Sequence, residues 1–209
     1  MGRHDFALSA STQRRTLATG FYASTPVQTA FGWTAVSDLG PGDLVMTRDM
    51  GLVPVANVQS KHQQALWSVR VPAGALGNAG PVMLPPGQPL LIQTGWAMPF
   101  SGDDLALVPA TALEGWRGIA PHVPAQVQAI LQLQLDHAAI LFIGPGLMAG
   151  CDGTDDAVFD LRRLMQVPRR PILPLAAARH MVAQLVADEA GEAIRALQAA
   201  DLRPPPNLS

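Results

Sequence analysis

Glycine and proline punctuate this chain so densely that long helices are excluded from most of it. There are 19 of each in 209 residues, and most lie before position 125. Between them stand short apolar runs of the kind that pair as strands. The clearest stretch is Val27 to Asp49, VQTAFGWTAVSDLGPGDLVMTRD. Gly32 separates two such runs and can take the positive φ of a hairpin turn. Trp33 follows as a large apolar anchor. Leu39 to Asp43 then packs Pro41 between two glycines, and Leu44 to Thr47 resumes a strand. A shorter echo comes later: Gly95-Trp96, then a turn at Gly102 to Asp104, then Leu105 to Val108. An echo of this kind points to two similar β-lobes.

Composition narrows the class. Hydrophobic residues make up 48% of the chain and charged residues 14%, which is globular rather than disordered. The length suits one domain, or one domain with an appendage. A formal net charge of −2, with no basic stripe interleaved by aromatics, argues against nucleic acid as a partner. No stretch reaches the ~18 continuous apolar residues of a membrane span. The opening MGRHDFALSASTQRR is charged and lacks an apolar core, so it does not read as a secretory signal. Cys151 is the single cysteine, which excludes an intrachain disulfide framework. A reducing compartment such as the cytoplasm fits, and leaderless export stays open.

Taken in order, residues 1–19 read as a polar arm. Strands are expected at Val27–Phe31, Trp33–Val36, Leu44–Thr47, Leu52–Val58 and Leu66–Val71. Pro54 marks an edge or a bulge in the fourth of these. Ala73 to Gly80 is a glycine-rich loop without the Lys and Ser/Thr of a phosphate cradle. Leu90–Gln93 and Trp96–Phe100 suggest a hairpin, Asp104–Val108 the next strand, and Pro109–Glu114 a helical turn. Leu131, Leu133 and Leu135 alternate with Gln132 and Gln134 as in a half-buried strand. Ala138–Ile143 pairs back on it through Asp136-His137. Acidic, turn-like sequence follows Gly150, and Val158–Met165 reads as a short helix. Pro174–Leu197 is the strongest helix, with Met181, Val182, Leu185, Val186, Ala190, Ile194 and Leu197 on one apolar stripe. It is expected to pack on the body or on a second copy of itself. The expected architecture is therefore mainly β: an arm (1–19), a β domain (20–150), and a linker with a C-terminal helix (151–209).

These residues resemble the start of a Hint (hedgehog/intein) domain, in particular its bacterial hedgehog/intein-like group. Gly32, Trp33, Val36, Leu39, Pro41, Gly42, Asp43, Val45, Thr47, Arg48 and Asp49 fit that group's opening block. Val71 to Gly77 resembles its I-R-A-G-A-L-G stretch. Met83 to Ile92 stands where a Ser-Pro-Gln-His block is expected, and Leu131 to Gly146 resembles the closing strands. The resemblance implies a compact, horseshoe-shaped β fold of two pseudo-symmetric lobes with a helical appendage. It also implies a chemistry. A thiol or hydroxyl on the first residue attacks the carbonyl before it, and an imidazole from the second block assists. Here the first position falls on Gly20 and the imidazole position on Gly87, with Leu84 where a Ser or Thr is expected. The machinery for self-cleavage or splicing is thus absent on this alignment. The resemblance implies a degenerate member acting as a structural or protein-binding module, without cofactor or metal. The alternative is residual self-cleavage through a shifted hydroxyl, or an unrelated hydrolase.

Thr19, Ser24 and Thr25 are the hydroxyls near enough in sequence to serve as a shifted nucleophile, and each also reads as an ordinary turn residue. Asp136 and His137 read as turn-capping groups or a vestige of a site. Cys151 beside Asp152 reads as an inert thiol, because a neighbouring carboxylate raises a thiol pKa. Asp43 reads as a turn residue bonding nearby N–H groups. His4, His62, His122, His137 and His180 show no metal-ligand spacing. Asp103-Asp104, and Asp152 with Asp155 and Asp156, read as solvated acid rather than a cation site. A partner protein, or self-association through Pro174–Leu197, is the expected interaction.

Overall fold

The computed structural model describes residues 17–97, 102–126, 128–144, 146–154 and 170–201. The reading of Val158–Met165 as a helix, and the acids Asp155 and Asp156, lie outside the described residues.

The body is β throughout. Its strands are β1 (Phe21–Tyr22), β2 (Pro26–Thr29), β3 (Gly32–Ala35), β4 (Leu44–Thr47), β5 (Gly51–Gln64), β6 (Ser68–Val71) and β7 (Val82–Leu84). They continue as β8 (Pro89–Gln93), β9 (Leu105–Pro109), β10 (Ala120–His122), β11 (Ala129–Leu135), β12 (Ala139–Ile143) and β13 (Leu147–Gly153). Ten strands join in one sheet, ordered β1-β11-β5-β4-β2-β12-β13-β8-β9, with β3 on β2. Added pairings of β4 with β12 and of β11 with β13 close part of it into a barrel-like ring. β10, β6 and β7 form a second, small sheet.

The two opening hairpins are built by one device. Thr29 Oγ1 donates to Gly32 O and accepts from Phe31 N, while Gly32 sits at φ +112°. Thr47 Oγ1 donates to Gly51 O and accepts from Met50 N, with Gly51 at φ +71°. A threonine closes each turn because its hydroxyl both gives and takes a bond, and a glycine supplies the left-handed residue. Asp43 does what its turn suggested: its carboxylate accepts from Gly40 N at 2.8 Å.

Strand β5 is shared between two neighbours. Gly51 to Pro54 pairs with β4, and Val55 to Gln64 pairs with β11, with a register shift at Gln134/Leu135. Pro54 stands at this handover, where its missing N–H costs no ladder bond. The sheet also continues past Gly150. β13 runs to Gly153, and Gln134 and Leu135 pair with Asp152 and Gly153. Residues 151–153, expected to be turn, are a strand because Cys151 alternates inward with Ala149 and Leu147. The two Gly-Trp pairs differ. Gly32-Trp33 enters a strand, whereas Gly95–Ala97 is a 3-10 turn closed by Ala97 N on Thr94 O.

The glycine-rich loop is organised by a buried side chain. Asn78 is 2% exposed; its amide donates to Pro72 O and Gly80 O and accepts from Leu76 N. These bonds leave no open cradle at the turn.

One helix, α1 (Leu175–Asp201), packs on the body among the described residues. Ala178, Met181 and Val182 are buried, and Leu175 and Leu185 lie on the same core. Val186 and Ile194 remain 43% and 56% exposed. The single stripe expected over this helix is thus two: the body covers the face of Ala178, Met181 and Val182, while the face that carries Val186 and Ile194 stays exposed. Glu189 is the last anchor. Its carboxylate accepts from Trp116 Nε1 at 3.1 Å and pairs with Arg117 at 2.6 Å, and Arg117 stacks over the Trp116 ring.

Replacing Asn78 by Ala removes the bonds to Gly80 O and Leu76 N and leaves Pro72 O with Ala75 N alone. It should cost about 1–3 kcal/mol in a denaturant titration, without changing the strand content seen by circular dichroism.

Candidate functional site

Four segments meet beside the N-terminal end of the barrel. They are residues 17–20, the turn Pro85–Gln88, β11 and β13. Gly87 N donates to Ala18 O at 2.8 Å. Gly20 N donates to the Gln88 side-chain oxygen at 2.9 Å, and the Gln88 amide nitrogen donates to Gly150 O at 2.7 Å. Gln88 is 2% exposed. Its carboxamide therefore ties the chain entry to β13 across the turn that carries it. The turn is closed by Gln88 N on Pro85 O, and Thr111 N and Ala110 N bond Pro86 O and Gln88 O.

Both glycines at this junction are closed in. A Cβ on Gly87 would lie 2.8 Å from Ala18 O, Leu17 O and Leu17 Cβ. A Cβ on Gly20 would lie 2.6 Å from Leu131 O and 2.7 Å from Ile130 Cγ2, and Gly20 has φ +120°. At Gly87 the obstructing atoms belong to residues 17 and 18, ahead of the first strand, and at Gly20 to the Leu131 carbonyl and the side chains of Ile130 and Gln132, so a side chain at either position must displace its neighbours. Gly20 and Gly87, singled out in the sequence, are thus brought together through Ala18 and Gln88. Leu84 is fully buried at the end of β7, paired with Val69, and belongs to the main core.

A small cavity of about 50 Å³ remains here, lined among others by Thr19, Gln88, Gln132, Cys151 and Asp152. Gln132 donates to Asp152 Oδ2 at 3.1 Å, while its own Oε1 is buried without a partner. A neighbouring cavity of about 110 Å³ shares Cys151 and Asp152 and opens toward Arg48, Asp49 and Arg170. Cys151 is 5% exposed and its thiol donates to Leu133 O at 3.2 Å. Burial pushes its pKa far up, and the Asp152 charge adds to this. Such a thiol is neither a nucleophile nor a ligand at neutral pH.

The other candidate residues stand apart. Ser24 is exposed in the turn after β1, and Thr25 is buried at the end of that turn, its N–H donating to Tyr22 O and its carbonyl accepting from Val36 N. Asp136 and His137 form the β11–β12 turn; Asp136 O accepts from Thr154, and His137 backbone lies against Gly153. His137 does not line the cavity at Thr19. Asp104 is exposed, as expected of a solvated acid, while Asp103 is half-buried. Arg170 holds Asp103 through both guanidinium nitrogens, and Gln93 holds Asp104 at 2.6 Å. That partnership lies 67 residues away in sequence and leaves no local signature. Among the described residues no three His, Cys, Asp or Glu gather as a metal site. No described helix is long and apolar enough to cross a membrane. Gln88 is the residue that sequence reasoning missed; its only signal was an uncharged amide directly after Gly87.

The chain entry at residues 17–20 is thus bonded to the turn that precedes β8 in a partly closed β sheet. A family model described as a Hint domain matches residues 19–145, and the chain belongs to that family. Solved structures with related folds are a bacterial intein-like domain from Clostridium thermocellum, the MchDnaB-1 intein and the zinc-bound splicing domain of the Msm DnaB1 intein. The first is 14% identical over 63% of this chain and 98% of its own, with a TM-score of 0.47. The second is 14% identical over 64% and 100%, with a TM-score of 0.41. The third is 16% identical over 64% and 99%, with a TM-score of 0.41. A search of curated protein sequences finds no match.

Two outcomes check this geometry. Gly87→Ala should lower stability by about 1–3 kcal/mol through overpacking against residues 17 and 18. Gly40→Ala, with nothing within 4 Å of its Cβ, should stay within about 0.5 kcal/mol of the parent. Cys151 should ignore a thiol reagent in the native protein and react fully once the chain is unfolded.

Proposed function

We propose that this chain is a Hint domain without self-cleaving chemistry, retained as a folded structural or protein-binding module. The observation that carries the reading is the closure of Gly87 onto Leu17 and Ala18. Processing as the family resemblance describes it needs an attacking atom on the first residue and an imidazole beside the bond. Glycine offers neither. The space an imidazole at 87 would need is filled by backbone, and so is the space for a side chain at 20. The N–H of the Thr19–Gly20 peptide is bonded to Gln88 Oε1, an oxygen with no proton to give to a departing amine.

One observation favours a second reading, residual cleavage one bond upstream. Ala18 O accepts from Gly87 N, and Ala18 carries the carbonyl that a Thr19 hydroxyl would attack. Attack would form an ester on Thr19 Oγ, break the Ala18–Thr19 amide and leave a free amine on Thr19. Among the described residues no imidazole lines this cavity to move the protons.

Incubating the full chain with dithiothreitol or hydroxylamine and measuring intact mass separates the two. The expected result is one species at 22.1 kDa. A Gly20→Cys/Gly87→His double variant should also stay whole, because the pocket has no room for either side chain. A break at Ala18–Thr19 that disappears in Thr19→Ala would establish the second reading instead.

A further inference from the structure

The cavity of about 50 Å³ beside residues 17–20 contains an acceptor that the fold leaves open. Gln132 is 9% exposed, and its Oε1 has no partner among the described residues. A buried carbonyl oxygen costs free energy until a donor reaches it. This one is aimed at the chain entry: it lies 3.4 Å from where a Cβ on Gly20 would stand. Its orientation is fixed, because Gln132 Nε2 donates to Asp152 Oδ2 and a flipped amide would set two oxygens together.

The side-chain donor groups of the lining are already engaged. The Gln88 amide gives to Gly150 O and Pro89 O, the Cys151 thiol to Leu133 O, and the Gln132 amide to Asp152. The acceptors are not exhausted. Gln132 Oε1 is open, and a carboxylate such as Asp152 has about four lone-pair directions, more than the bond from Gln132 fills. The Thr19 hydroxyl, also on the lining, gives or takes a bond. Water brings lone pairs of its own, for which the lining offers chiefly that hydroxyl. A group that only donates fits better, and the Asp152 charge favours a positive one. No Lys or Arg lines this cavity among the described residues. We propose that it binds a small primary amine in its protonated form, the ammonium bonded to Gln132 Oε1 and the Asp152 carboxylate. The alkyl body lies toward the adjoining cavity of about 110 Å³, which shares Pro89, Cys151 and Ile172 and adds Leu107 and Ile140. Charged residues there come in both signs, Arg48 and Arg170 with Asp49, so the ammonium gains most in the inner cavity.

This inference goes beyond the loss of processing. It is read from ligand binding rather than from chain mass, so the two proposals fail separately. The test titrates ethylammonium chloride, ethanol and potassium chloride into the full chain and follows its backbone amide resonances. Ethylammonium should give saturable shifts centred on Thr19, Gln132 and Asp152. Half-saturation should fall at roughly 1–10 mM, near the ceiling for so few heavy atoms. Ethanol has the same size without the charge, and potassium has the charge without N–H donors; neither should saturate. Gln132→Leu keeps the buried volume and should abolish the saturable shifts. Asp152→Asn, at an exposed position that does not test the fold, should weaken binding about tenfold. Shifts that never saturate with ethylammonium would overturn the proposal, as would equal shifts with ethanol or potassium. Binding unchanged in Asp152→Asn, or in a folded Gln132→Leu, would overturn it too.

Discussion

The carboxamide of Gln88 is the interaction on which the junction depends. A buried amide must satisfy both its ends or lose roughly the desolvation cost of each. Gln88 does so by taking the Gly20 N–H and giving to Gly150 O. Those bonds fix three things at once: where the chain enters the barrel, how far the Pro85–Gln88 turn reaches in, and where β13 passes. Glycine at 87 is what lets the turn come so close, since any side chain there meets the backbone of residues 17 and 18. The backbone of residues 17 and 18 thus closes the space beside Gly87, and a cavity of only about 50 Å³ remains next to Thr19 and Gln88.

Much of this was legible in the sequence, and the reasons are local. Thr29–Gly32 and Thr47–Gly51 carry their own turn chemistry, and Asp43 bonds within its own loop, so spacing alone reveals them. Alternation placed β11 and a continuous apolar run placed β12, but the two do not pair as the expected hairpin. β11 lies between β1 and β5, and β12 joins β13, β2 and β4. What stayed hidden rests on contacts between distant segments. Arg170 with Asp103, Glu189 with Trp116 and Arg117, and Gln88 with Gly150 each join residues that no periodicity relates. Cys151 to Gly153 read as an acidic turn because their pairing with β11 is parallel and comes from far back in the chain. The helix was clear, but its division into a covered and an uncovered face is set by the body it packs on.

Charge does its work at the edges of this fold rather than in its centre. The Arg117–Glu189 pair is exposed, and by itself a pair of that kind contributes about 0–1 kcal/mol. The rotation of α1 is set by its buried Ala178, Met181 and Val182, and the pair adds a polar contact at the rim of that face. Arg170 plays the same part at the other end of the body, holding Asp103 and Leu105 O while Leu173 N bonds Leu107 O. The main core, by contrast, is almost wholly aliphatic, with Trp116 and Phe21 its large aromatics.

The short reach of one glutamine also has a mechanical consequence. Residues 17–20 and 150–154 run side by side, so losing the one carboxamide would loosen the chain entry and the end of β13 together. The bonds of Arg170 and Leu173 and the buried face of α1 would still hold the C-terminal segment to the body.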